Sequence, residues 1–325
     1  IESWINERVT NETRGAIFSV YLIITQLAMI AGQYVIVVAA PEGHFPFMVA
    51  AILFALAILP TALSTAQSPA PLEQVRLNLK ELYVNSPAAL IGVFLAGGIA
   101  GAWQNFAPVF GTMNGMSNTA IASMLSLAIL GSALAQYPFG WLSDRIDRRL
   151  VMIGVGAAGA VIVTAAGFQP VGTQAPGLLF FVLMCMTGAF IYPIYAILVA
   201  HANDHAAPED YIQVSSGLLM VYGTGTMAGP IITARMTTLF GAGGLFITIA
   251  ALNLAIAAYA AWRLTRRPAP AESDTMDFQT YAPATAQTPQ SYTLAPSAEA
   301  AEEAAEAADT DREAGAPAEA RTGGR

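Results

Sequence analysis

Eight apolar runs divide the first 265 residues of this chain, at residues 16–39, 45–65, 88–110, 119–142, 150–168, 177–200, 212–236 and 245–262. Each is close to the ~20 residues that a helix needs to cross the hydrocarbon core of a bilayer. Runs of that length and number predict an all-α, polytopic membrane helical bundle. The composition agrees: 55% of the residues are hydrophobic and 11% charged, with a mean hydropathy of +0.54, the profile of a membrane protein.

Charge then orients the bundle. Up to Arg267 there are 11 acidic and 11 basic residues; beyond it there are 11 and 3, so the formal charge of −8 belongs to the tail. That distribution gives no sign of a nucleic-acid partner. Assigning successive loops to alternate faces puts Arg8, Arg14, Arg76, Lys80, Arg145, Arg148, Arg149, Arg263, Arg266 and Arg267, with the three tail arginines, on one face. Only Arg235 falls opposite. The positive-inside rule makes the basic face cytoplasmic and places both termini inside, which requires an even number of spans. The setting expected is the plasma (inner) membrane, crossed many times.

The densest charge lies in GWLSDRIDRR, residues 140–149, a short turn between the fourth and fifth runs. Its charges need no burial there, and topological anchoring by arginine alone accounts for them. The spacing carries more information. It resembles the G-x-L-x-D-R-x-G-R-R loop signature of the major facilitator superfamily, with Gly140, Asp144, Arg145, Arg148 and Arg149 at the matching positions and Asp147 where the second glycine is usual. In that family the signature occurs between the second and third helices and, more loosely, between the eighth and ninth. Four runs precede it here and four follow, as the later copy requires.

Two further stretches are similar to the YcaD-like branch of that superfamily. ESWINERVTNETRGAIF, residues 2–18, resembles the end of its fourth helix and start of its fifth; YPIYAILVAHANDHAAPEDYIQVSSGLLMVYGTGTMAGP, residues 192–230, resembles its tenth and eleventh. The chain opens IESWINERV without a methionine, and the expectation is a chain lacking its N-terminal helices. The resemblance implies the following organisation: residues 1–66, the end of the N-terminal six-helix half; 67–87, the central cytoplasmic loop; 88–265, the C-terminal six-helix half. Within the loop, Leu72, Val75, Leu79 and Leu82 recur at helical spacing, so a short surface helix with Arg76 and Lys80 outward is expected. Residues 266–325, rich in Ala, Glu and Pro, form an acidic tail outside the resemblance, where disorder is expected.

What the resemblance implies for function is secondary transport of a small molecule by alternating access, a monomer when complete, with no cofactor or metal and no enzymatic activity. The loop aspartate of the family helps hold the inner gate shut by meeting the start of a helix from the opposite half. By pseudo-symmetry Asp144 should face the start of the first run, where Arg14 is a counter-charge. The transport cavity should be lined by polar side chains at mid-depth, which are costly in a bilayer without partners. Gln26, Gln33, Trp103, Gln104, Asn105, Tyr192, Tyr195 and Tyr222 are the candidates, each with the alternative of serving as helix-to-helix hydrogen-bond glue. Trp103, Gln104 and Asn105 together offer an aromatic face beside two amides, suited to an uncharged polar or amphipathic ligand.

No Asp, Glu, Lys or His lies well inside any run, and the glycine-proline pair of the family's antiporters is absent where Ala31–Gln33 reads AGQ; drug/proton exchange is not supported. Gly154-x-Gly156-x-x-Gly159 formally matches a dinucleotide fingerprint, but the run continues apolar to Phe168 and the next carboxylate is Asp204, so the acidic ribose contact is missing. These glycines, with Gly223, Gly225 and Gly229, are expected at close helix contacts. HANDH, residues 201–205, has loose spacing for a metal site and reads as solvated polar residues. From a different class, a non-transporting eight-span receptor or assembly component fits the same runs.

Overall fold

The computed structural model describes residues 11–38, 43–63, 79–171, 176–206 and 211–266. Among these residues every regular element is helical: α1 (Asn11–Gln33), α2 (Val35–Val38), α3 (Phe45–Leu63), α4 (Leu79–Asn85), α5 (Pro87–Met113), α6 (Asn118–Ser143), α7 (Arg148–Gly167), α8 (Leu178–Ile191), α9 (Pro193–Asn203), α10 (Tyr211–Phe240), a 3-10 turn (Gly241–Gly243) and α11 (Gly244–Leu264). Six apolar segments among the described residues are long enough to cross a membrane. One of them, Gln213–Leu264, holds both α10 and α11, and the shorter Phe45–Pro60 adds α3, which gives the eight spans read from the sequence.

Two spans are broken at a tyrosine. Tyr34 separates α1 from α2, and Tyr192 separates α8 from α9. The second break has a covalent cause: Pro193 has no N–H to offer the carbonyl one turn back, and its ring crowds that carbonyl, so the helix restarts at proline's preferred first position.

The core lies among α5 to α11, with Ile99, Trp103, Met124, Met152, Phe180 and Leu218 fully enclosed. The most intimate seam joins α5 to α10. A Cβ placed on Gly97 or Gly101 would collide with the backbone of Tyr222 or Thr226, and one on Gly225 or Gly229 with that of Phe94 or Gly98. Only glycine allows two helix backbones to meet in this way. Gly156 and Gly159 likewise face Asn253 of α11. Gly154 and Gly223, expected at contacts of the same kind, have open space where a Cβ would go; each is two residues, ~200° around the helix, from the contacting Gly156 or Gly225.

α1 and α2 attach to α6, where the Tyr34 hydroxyl meets Ser123 Oγ at 3.2 Å and Asn118 Nδ2 donates to the Ile36 carbonyl at 3.2 Å. α3 has no buried side chain among its described residues. The surface helix expected in the central loop is present as α4, with Leu82 buried and Lys80 exposed. Its upstream part and the acidic tail lie outside the described residues.

Candidate functional site

Two sites emerge at different depths: a polar cluster where α8 gives way to α9, and a charged network at one end of the bundle.

At the break the Tyr192 phenol lies within interaction range of the Gln104 side chain of α5. Tyr222 of α10 lies close enough to interact with the Tyr192 phenol, and its ring packs on Tyr195 of α9 with centroids 4.6 Å apart and a tilt of 54°. Gln104 is exposed, and Tyr192, Tyr195 and Tyr222 are half-buried, so four of the sequence candidates share one open polar patch made by α5, α9 and α10. It holds two or more hydroxyls and a carboxamide without a formal charge, a surface for hydrogen-bonding an uncharged polar solute.

The remaining candidates are placed elsewhere. Asn105 is exposed, but its Nδ2 turns back to the Gly101 carbonyl at 2.9 Å. Trp103 is 2% exposed and belongs to the core, so the aromatic face expected beside the two amides is turned inward. The reason is helical periodicity: consecutive residues point ~100° apart. Gln26 and Gln33 are half-buried on α1, which packs mainly on α6; the Gln26 Oε1 is buried with no hydrogen-bond partner.

The charged turn departs from its expected solvated state. Arg148 and Arg149 are 3% and 4% exposed. The Arg148 guanidinium donates Nε to Asp204 Oδ2 at 2.8 Å and Nη1 to Ser143 Oγ at 3.1 Å, and Nη2 lies 3.4 Å from Asp144 Oδ1. It thereby joins the end of α6, the start of α7 and the end of α9. Asp204 is enclosed as fully as its partner, each side chain 2% exposed. HANDH is therefore not the solvated segment its composition implied: His201 and Asn203 are buried too. Asp204 follows an apolar run directly, at the same bilayer level as the charged turn; that shared level was the available signal for the pair.

Helix polarity explains why three carboxylates gather here. α7 begins with two arginines at its N-terminus, the end where the helix dipole disfavours cations. Asp144, Asp147 and Asp204 offset both. Asp147 caps the helix, accepting the Arg149 N–H at 2.9 Å and gripping the Arg149 guanidinium at 2.8 Å. Burial on its own would raise the Asp147 carboxyl; the hydrogen bonds and charge of Arg149 outweigh it and hold the group below the usual aspartate range. Its folded value being depressed, the cap's contribution is complete above the ordinary aspartate range near pH ~4 and is lost as the pH falls through the lowered value. Asp147 stands where the signature has glycine, yet its φ is −51°, open to any residue, so the turn does not need glycine's left-handed conformation.

Around the network, Gly140 is buried and its carbonyl accepts the Asp144 N–H at 3.0 Å. Arg145 stacks on Trp141, 4.1 Å from the ring centroid. Arg14 sits in the first turns of α1, but its side chain lies outside the described residues, and so does any contact with Asp144.

Comparison with known proteins gives these sites a context. The family model of the Major Facilitator Superfamily matches residues 89–297, extending into the tail that the sequence reading left out. An uncharacterized MFS-type transporter of Yersinia pestis is 25% identical over 254 residues, 77% of this chain and 64% of its own length. The uncharacterized MFS-type transporter YcaD of Escherichia coli is 25% identical over 262 residues, 78% of this chain and 65% of its own. The Escherichia fergusonii YcaD is 23% identical over 267 residues. The chain spans just under two thirds of the length of these curated relatives.

Proposed function

The chain belongs to the major facilitator superfamily, in its YcaD-like branch, and from that premise we propose that it forms the C-terminal two-thirds of a secondary transporter. That transporter moves a small, uncharged polar or amphipathic solute across the inner membrane by alternating access. It is a multi-pass integral membrane protein. In this proposal α1 to α3 close the N-terminal half, α4 belongs to the central cytoplasmic loop, and α5 to α11 make the C-terminal half, whose rocking against the other exposes a midway site to each side in turn. The basic face is cytoplasmic, with both termini on it.

The observation that carries the reading is the uncharged cluster of Gln104, Tyr192, Tyr195 and Tyr222 at a helix break inside the span Leu178–Asn203. Broken helices tolerate exposed polar backbone only where they line a cavity or other protein. A thermal-stability screen of polar solutes against the full-length transporter tests it. A solute that raises Tm in the parent should lose most of that effect in Gln104→Leu and Tyr222→Phe; equal stabilisation of parent and variants would place the solute elsewhere.

Asp144 and the arginines are assigned to the inner gate, with Arg14 across the interface. Asp144→Asn should weaken the outward-facing state by about 1–3 kcal/mol, the scale of a charge-assisted hydrogen bond, and shift the population inward. In a Cys185→Ala background, cytoplasmic labelling of Ala206→Cys should then rise at unchanged protein level. Unchanged labelling and transport would return the turn to topological anchoring.

A further inference from the structure

Ser86 occupies the N-cap of the 27-residue α5 but makes no capping hydrogen bond. Its hydroxyl is buried, the residue being 2% exposed, and has no hydrogen-bond partner. A serine at this position normally accepts from the first turn of its helix; here Pro87 has no N–H, and Ser86 stands at the positive end of the α5 dipole. In front of this helix start opens a shallow cleft continuous with solvent. Ser86, Ala88, Arg149, His201, His205 and Arg263 line it, so four chain segments contribute: the starts of α5 and α7 and the ends of α9 and α11.

Among the described residues that line this cleft there is no carboxylate. The Arg149 guanidinium is bound to Asp147. Arg263 makes no ion pair among the described residues; its guanidinium lies 5.9 Å from the Trp262 ring centroid. The carbonyls at the end of α9 are already used, by the amides of Asp204, His205 and Ala206, and the His201 carbonyl also by the His205 ring at 3.0 Å. What remains is a buried hydroxyl without a partner and an arginine outside any ion pair among the described residues, at the positive end of a helix. Those are the components of an oxyanion site.

We propose that this cleft binds a phosphate group, and that its source is the headgroup of an anionic phospholipid. The rim supports a lipid. Next in sequence to two lining residues stand exposed rings: Trp262, 49% exposed, precedes Arg263 and packs on Tyr259 at a tilt of 45° with centroids 5.5 Å apart, and Tyr83, 51% exposed, lies two positions before Asn85. Amphipathic rings of this kind collect at headgroup level, which puts the cleft where a lipid phosphate resides. This site is separate from the solute cluster and does not depend on it.

The test uses the full-length protein in neutral detergent, with Tm as the readout. One arm dopes the micelles with phosphatidylglycerol or phosphatidylcholine; the other titrates inorganic phosphate against chloride at constant ionic strength. Phosphatidylglycerol should raise Tm where phosphatidylcholine does not, and Arg263→Gln and Ser86→Ala should each require about tenfold more of it, the loss of one charge-assisted hydrogen bond. Arg263→Lys should keep most of the response. Without lipid, Ser86→Ala should be as stable as the parent or more so, because it removes a buried hydroxyl that has no partner. If inorganic phosphate alone reproduces the shift and its sensitivity to both variants, the site takes a free oxyanion rather than a headgroup. No shift from either source, or the same shift in Arg263→Gln and Ser86→Ala as in the parent, overturns the proposal.

Discussion

The segments Ser19–Val38 and Pro87–Met113 are both apolar enough to cross a membrane, yet the most apolar 18-residue stretch of the first is 6% buried within the protein and that of the second 67%. Within this chain apolarity does not decide which helix packs; in the proposed transporter the rest of the N-terminal half is available to cover α1 and α3. In a bilayer the lipid is as apolar as leucine, so an apolar face gains nothing by turning inward. What distinguishes α5 is its small residues: AGGIAGA, residues 96–102, lets α10 approach backbone to backbone. α3 reads FPFMVAAILFALAILPTAL, with bulk at nearly every turn and side chains such as Phe47 and Phe54 more than 70% exposed. Hydropathy selects the phase a helix enters; shape selects its neighbours.

The comparison can be tested at three strengths. The largest effect is expected at the ion pair inside the packed region. Arg148→Met takes the guanidinium away from the enclosed Asp204 carboxylate and should cost about 3–5 kcal/mol, whereas Arg148→Met with Asp204→Leu should recover most of the loss. Thermal unfolding in detergent measures both, and a single variant as stable as the parent would mean the pair contributes nothing to the bundle. At the seam, Gly101→Ala forces a methyl against the Thr226 backbone and should cost about 1–3 kcal/mol; an unchanged Tm would show that α5 and α10 can separate freely. The smallest effect belongs to α3. Phe54→Ala, 74% exposed in the parent, should change stability by less than ~0.5 kcal/mol. A loss like that of Gly101→Ala would instead reveal that other protein covers this face.

Much of the architecture was legible because bilayer thickness imposes a length that periodic apolarity reports directly. The run at residues 150–168 became α7, and the structure moves its start back only to Arg148. That small shift matters, because it carries two arginines into the helix and into burial. The sequence reading kept them in solvent since a charge in an oily chain has no visible partner when its partner, Asp204, is 56 positions away. Distance along the chain hides such pairs; only the shared membrane level links them. The same limit applied to the polar cluster. Gln104, Tyr192, Tyr195 and Tyr222 were all singled out by depth, but which of them meet depends on rotation about each helix axis. Trp103, one position from Gln104, faces the core for that reason. The break at Pro193 was visible as a residue, and its effect on Tyr192 follows from covalent geometry rather than from composition.

The burial of Arg148 and Arg149 gives their charges two successive roles. In the newly made chain, before helices associate, both are uncompensated cations in a short loop and contribute fully to the orientation of the flanking segments. Once α6, α7 and α9 meet, Asp204 and Asp147 neutralise them at 2.8 Å each. The arginines then cease to act on the surrounding electrolyte and hold three segments together instead. A pair enclosed in this way is screened far less than charges in open water. The joint should therefore be indifferent to ionic strength, although the insertion step that placed it there was governed by charge. One set of side chains thus serves first as an address and afterwards as a rivet.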